Sequence, residues 1–269
     1  MLKEEILKTI KSTKSRLVFA IMVIIAAASS FYVLICKLKY PEMSSHPVYE
    51  TIIGVGDFTY EFSCLYTWFM PIFITIGYCE KYVNEMKCGM TSIYYTRTSK
   101  KQLFFAKIAN SFIYPAVVNF IANIINFLMS GIILHGNKGF GGLEYWTVNE
   151  LSNADDEISG KMVYYCVHHP YFTYFVYLLS FMFVCGLIGI MCQCLCFIFR
   201  DNRIAYILSF AIWMVMYATP QLSLGEIIQP FLPEFEFYYS ILSLVYYLVF
   251  VFLLCVAAYF RTVRRKDEI

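Results

Sequence analysis

Ten cysteines and four histidines are the residues of this 269-residue chain with the chemistry to bind metal or attack a substrate, and their spacing speaks for packing instead. Cys192-x-Cys194-x-Cys196 puts only its first and third thiols on one helical face. No second Cys or His pair accompanies it, as a zinc site would need. A free Cys in an apolar run behaves as a small hydrophobe. His46, His135, His168 and His169 all fall outside the long apolar stretches, and His168-His169 precedes Pro170 in a turn. There is no H-E-x-x-H, no G-x-S-x-G and no G-x-x-x-x-G-K-[ST]. The metalloprotease, nucleophile-elbow and phosphate-cradle chemistries therefore have no carrier. No catalytic residue, metal ligand or cofactor site is expected on this chain.

A second pattern is polar but not reactive. Asn119, Asn123 and Asn126 are spaced i, i+4, i+7 and share one helical face. An amide in an apolar segment must point at another helix or a cavity. Two roles fit: lining a central path or a seam between copies, or interhelical hydrogen bonds that lock the helices, worth about 0.6 kcal/mol each on average.

The elements that hold these residues follow from composition. The chain is 59% hydrophobic and 15% charged, whereas soluble domains carry roughly 25% charged residues. The bilayer is the solvent this chain requires. Six apolar stretches approach the roughly 20 residues of a membrane-crossing helix: Leu17 to Cys36, Phe58 to Cys79, Leu103 to Leu134, Tyr171 to Phe199, Ile204 to Thr219 and Tyr238 to Phe260. The fifth is the shortest, and Pro115 is expected to kink the third. Of the 21 Lys and Arg, 17 fall on the side holding both termini and four on the other. By the positive-inside bias, that side is cytoplasmic. Cys36 and Cys166 could meet on the outer side.

The fold class expected is thus an all-α integral membrane protein with six transmembrane helices and both termini cytoplasmic, in the cell membrane of a bacterium. Residues 1–269 are expected to form a single transmembrane domain. Residues 1–16 suit an amphipathic helix in the inner interface, since Leu2, Ile6, Ile10 and Thr13, continued by Leu17, make one stripe opposite Glu4, Lys8 and Lys11. Residues 135–170 form a long outer loop or small subdomain. Residues 220–237, interrupted by Pro220, Pro230 and Pro233, read as a re-entrant segment before the last helix.

The cytoplasmic segment 80–102 carries more than topogenic charge. It sets Met90, Ile93, Tyr94 and Tyr95 between Glu80, Lys81, Glu85 and Lys87 on one side and Arg97, Lys100 and Lys101 on the other. Exposed aromatic and apolar groups with a charged rim are the composition of a docking knob.

Here the chain resembles type-2 ATP-binding-cassette exporter permeases. The resemblance lies in Glu85-x-x-x-Gly89, then Arg97-Thr98-Ser99-Lys100-Lys101, then Lys107 opening the third span, together with the six-span architecture. Many members have proline where Arg97 stands. The resemblance implies a coupling helix around Gly89 to Tyr95 seated in an ATPase subunit on another chain, which would hold ATP and Mg. A smaller second contact would come from Arg200 to Arg203. It further implies a dimer with a second permease copy or a paralogue, a path for amphipathic cargo such as a peptide or hydrophobic drug, and no role for nucleic acid. The expected coupling residues are Glu85, Gly89, Met90, Ile93, Tyr94, Tyr95, Arg97, Ser99, Lys100, Arg200 and Arg203. The alternatives are an intramembrane enzyme, which the missing motifs disfavour, and a non-transporting sensor, immunity or scaffold protein of the same architecture.

Overall fold

The computed structural model describes residues 1–41, 45–54, 56, 58–137, 168–219, 224–228 and 237–264. Every extended element among them is helical. In chain order these are α1 (Leu2–Lys11), α2 (Thr13–Lys39), α3 (Tyr60–Trp68), α4 (Met70–Ile74), α5 (Glu80–Lys87), α6 (Met90–Arg97), α7 (Lys100–Ile133), α8 (Pro170–Phe199), α9 (Asn202–Ala218), α10 (Gly225–Ile228) and α11 (Phe237–Tyr259). Single π turns at Thr75–Cys79 and Phe260–Arg264 follow α4 and α11.

Four helical segments are long and apolar enough to cross a membrane: Thr13–Lys39, Lys100–Ile133, Pro170–Phe199 and Ile241–Arg264. A fifth is obtained by joining α3 to the run Met70–Lys87, which meet at a 47° bend. The expected fifth span, α9, has 17 residues. At about 1.5 Å per residue it reaches only about 25 Å, short of a hydrocarbon core of about 30 Å. Much of the expected outer loop 135–170 and of the segment before the last helix lies outside the described residues. Of the latter, α10 packs against α8 and α11, with Leu224 and Ile228 fully buried.

The bend in the second span has a local cause. Pro71 has no N–H, so the Thr67 carbonyl four residues back loses its helical donor. The buried Trp213 indole of α9 supplies one instead, its Nε1 donating to Thr67 O at 2.8 Å. A freed carbonyl in an apolar interior must be satisfied by a neighbour in this way. The third span is one continuous helix of 34 residues through Pro115.

Two packing seams set the architecture. Helix α7 lies against α8 at Gly189, where an added Cβ would stand 1.9 Å from Ser111 O. No side chain fits between backbones that close, which is why a glycine is required. On its other flank α7 meets α2 through small residues, with Ala26, Ser29 and Ser30 fully buried. Lys37 donates to Ile133 O at 2.6 Å and closes the far end of that seam.

The segment 45–54, between the first two spans, folds into the bundle. Val48, Ile52 and Ile53 are fully buried, and Ser63 Oγ donates to Ile52 O at 2.8 Å. It plugs the end of the bundle opposite the lysine- and arginine-rich end.

Candidate functional site

At the basic end, α6 is a short exposed helix with one tethered face. Gly89 opens it in the left-handed region at φ 72°, a conformation that strains any other residue, and an added Cβ there would meet open space. Met90 and Ile93 are 44% and 56% exposed, and Arg97 one turn on is exposed as well. These three form one outward stripe at i, i+3, i+7. Tyr94 turns the other way. The Lys8 ammonium of α1 stands 4.3 Å from the Tyr94 ring centre and donates to its hydroxyl at 3.3 Å. Tyr95 lies under Lys100, 5.2 Å from ring centre to Nζ. Ser99 caps α7 by accepting from Gln102 N at 3.3 Å.

Behind α6 lies a buried ion cluster. Lys107, one of the largest fully buried side chains, donates to Glu85 Oε2 at 2.8 Å and reaches Glu5 Oε2 at 3.4 Å. Glu85 therefore faces the interior, not a docking surface. Glu5 also pairs with Lys8 at 3.3 Å. One turn along α1, Thr9 Oγ1 accepts from Asn110 of α7 at 2.8 Å. Glu5 and Thr9 are the buried residues of α1, while Leu2, Leu7 and Ile10 are exposed. The helix thus turns a polar stripe to the protein and leaves Leu2, Leu7 and Ile10 outward, together with Lys3, Glu4 and Lys11. Burial alone would raise the Glu5 carboxyl; the nearby Lys107 and Lys8 charges outweigh it and hold Glu5 below the usual carboxylate range. For Lys8, Tyr94 and Glu5 outweigh desolvation and raise the ammonium above its usual range.

A second node stands beside the first. Glu80 accepts from Lys14 of α2, from the Tyr206 hydroxyl of α9, and from Asn84 at 3.2 Å. Asn202 donates to Asn84 Oδ1 at 3.2 Å, which brings the Arg200–Arg203 turn against α5. In that turn Arg200 ends α8 in the left-handed region, and Asp201 caps α9 by accepting from Arg203 N at 2.9 Å. Arg203 is exposed. The structure thus brings α1, α5, α6, α7 and the start of α9 together at one end.

The asparagine row lies elsewhere, in the bundle interior. Asn119, Asn123 and Asn126 are fully buried. Asn126 donates to Ala26 O and Ser30 Oγ, each at 2.9 Å, and accepts from Ile52 N at 2.9 Å. Asn119 Oδ1 accepts from the Tyr66 hydroxyl at 3.0 Å and from Asn123 at 2.9 Å. Tyr174 donates to Asn123 O at 3.0 Å. The row ties α2, the 45–54 plug, α3 and α8 to α7. Of the two roles open to it, this geometry performs the locking one within a single chain.

Glu5, Lys8, Thr9, Asn110 and Glu80 were not among the expected site residues. One signal pointed to some of them: a lysine just inside an apolar helix demands a carboxylate, and Glu5, Glu80 and Glu85 are available on its side.

The helices and this site fit a multi-pass membrane protein whose basic end is built around a tethered surface helix. Over 258 residues the chain is 23% identical to the uncharacterized protein YybM of Bacillus subtilis (strain 168), with 96% of each chain covered. No family model matches the sequence, and no solved structure matches it.

Proposed function

We propose that this chain is the membrane-spanning subunit of an ATP-driven exporter of the type-2 ATP-binding-cassette class, working with an ATPase on a separate polypeptide that holds ATP and Mg. In this reading the basic end is cytoplasmic in the cell membrane of a bacterium. The short α9 completes a six-span set, and the segment before the last helix re-enters the outer leaflet. A second copy or paralogue supplies the other half of the path for amphipathic cargo.

The observation that carries the reading is α6 itself. Its Met90, Ile93 and Arg97 stripe faces outward, and its Tyr94 face is clasped by α1. A solvated turn between two spans needs only charge; exposed Met and Ile beside a basic rim suit a cleft in a soluble subunit. The docking face is therefore Met90 and Ile93, with Tyr94 and Tyr95 as its support. A push on α6 is passed through Tyr94 to Lys8 and Glu5, and from Glu5 to Lys107 near the start of the longest span. The Arg200–Arg203 turn, held to α5 by Asn202, makes the smaller second contact.

The test is extraction of the tagged chain from its native membranes in mild detergent. A nucleotide-hydrolysing subunit is expected to copurify, and Met90→Asp with Ile93→Asp to remove it while leaving the thermal midpoint of the chain unchanged. Retention of the ATPase by that double variant overturns the docking face. Purification with no hydrolysing subunit at all favours the non-transporting sensor, immunity or scaffold alternative.

A further inference from the structure

Three lysines at the basic end are paired with carboxylates: Lys8 with Glu5, Lys14 with Glu80, and Lys107 with Glu5 and Glu85. Two arginines are placed over a groove instead. Arg261 and Arg264, in the π turn that ends the last helix, have no carboxylate within ion-pair distance among the described residues. Both line an open groove of about 570 Å³ whose other walls are Ile198 at the end of α8, Ala257 and Phe260. The Arg264 guanidinium stands 4.9 Å from the Phe260 ring centre. Stacking of this kind orients a guanidinium while leaving its donors free. The π turn widens the last helical turn, as such turns often do at functional sites.

We propose that this groove seats the headgroup of an anionic phospholipid, with Arg261 and Arg264 on its phosphate and an acyl chain along Ile198, Ala257 and Phe260. The argument is one of matched chemistry. Two guanidiniums, without a carboxylate partner among the described residues, stand above apolar walls where an apolar helix gives way to a basic end. That profile fits an amphiphile with a phosphate head. Free phosphate would use the arginines and leave the apolar walls without a partner. A zwitterionic lipid would fill the walls but carry an ammonium toward the arginines. The assignment goes beyond the exporter reading and stands whether or not a motor docks on α6.

Equilibrium binding of short-chain phosphatidylglycerol to the full chain in uncharged detergent tests it, with phosphatidylcholine of the same chain length and inorganic phosphate as the other arms. Phosphatidylglycerol is expected to bind tightest. Arg261→Ala with Arg264→Ala is expected to weaken it about thirtyfold, at the usual contribution of each basic residue near an anionic surface. Ala257→Trp, which fills the groove and keeps both arginines, is expected to weaken it as well. It decides the matter if the arginine double variant does not fold. Equal binding of phosphatidylglycerol by the wild type and either folded variant overturns the site. Inorganic phosphate competing as well as the lipid overturns the lipid assignment in favour of a simple anion site. Equal affinity for phosphatidylcholine overturns the role of headgroup charge.

Discussion

At its basic end the bundle buries a charged cluster on Lys107, with Glu5 and Glu85, while deeper along the same long helix it buries three neutral amides, Asn119, Asn123 and Asn126. Both sets hold neighbouring elements to α7, but they respond to different things. A buried ion pair carries a desolvation cost that only good geometry offsets, and it changes with protonation. An amide network in an apolar interior has no titration and little sensitivity to ionic strength. The amides lie where α2, the 45–54 plug, α3 and α8 meet, so they fix what must stay fixed. The ions lie where a small surface helix meets a long span, so they hold what can be released and re-formed. The comparison teaches that one end of this chain is adjustable by protonation and salt and its middle is not.

The largest effect expected is from Lys107→Met. It leaves Glu85 buried without its cation and Glu5 with Lys8 alone, a change of about 3–5 kcal/mol, seen as a lowered thermal midpoint in detergent. Adding Glu5→Gln and Glu85→Gln to that variant is expected to restore most of the loss, because an all-neutral cluster carries no orphaned charge. A wild-type midpoint for the single variant would break the comparison at its first term. Next is Asn126→Leu. It strands the buried Ile52 N–H and loosens α2 and the plug together, costing about 1–3 kcal/mol. Its loss is expected to be the same at low and high salt, whereas that of Lys107→Met is expected to vary with pH.

How much of this could be read beforehand differs by region for physical reasons. The apolar helices were legible because a run of about 20 residues is a local property. The shared face of the asparagines was legible because helical periodicity is local too. The partners were not: Lys107 finds Glu5 across 102 positions and Asn126 finds Ala26 across 100. Spacing along one chain does not report such contacts. The 45–54 plug was missed because Val48, Ile52 and Ile53 make no period, and only the fold shows that they fill the end of the bundle. The bend between α3 and α4 at Pro71 was not anticipated. Its consequence here depends on Trp213, distant in sequence. The sequence reading placed both tyrosines on the docking knob. The structure separates them from Met90 and Ile93 because adjacent helical positions face different directions.

The protonation of Glu5 supplies the third test. Its carboxyl is held below its ordinary range in the folded state, so it contributes stability above that range and loses it as pH falls through the folded value. Glu5→Gln is therefore expected to be less stable than wild type at neutral pH. The gap between their midpoints closes below about pH 4.5, the ordinary carboxyl value. A gap that persists into more acid solution would mean that Glu5 acts by shape, not charge, and that the adjustable end is no more adjustable than the amide row.

The smallest effect sharpens the comparison most, because it concerns the clasp between α1 and α6. Lys8 is partly exposed, so its contact with Tyr94 is worth only about 0.5–1 kcal/mol. Such an energy barely moves a midpoint, but it sets how often α6 lifts from α1. In a Cys88→Ser background, Thr91→Cys places a thiol at a buried position of α6 and reports that motion through its rate of reaction with a maleimide. Tyr94→Phe keeps the ring over Lys8 and loses only the hydroxyl contact, so its labelling rate is expected to stay near wild type. Tyr94→Leu loses both and is expected to label a few times faster, by the conversion of about 1 kcal/mol into roughly a fivefold change in an equilibrium. If the two variants label alike, the aromatic face is not what holds α6, and the path from the surface helix to Lys107 must run through α5 instead.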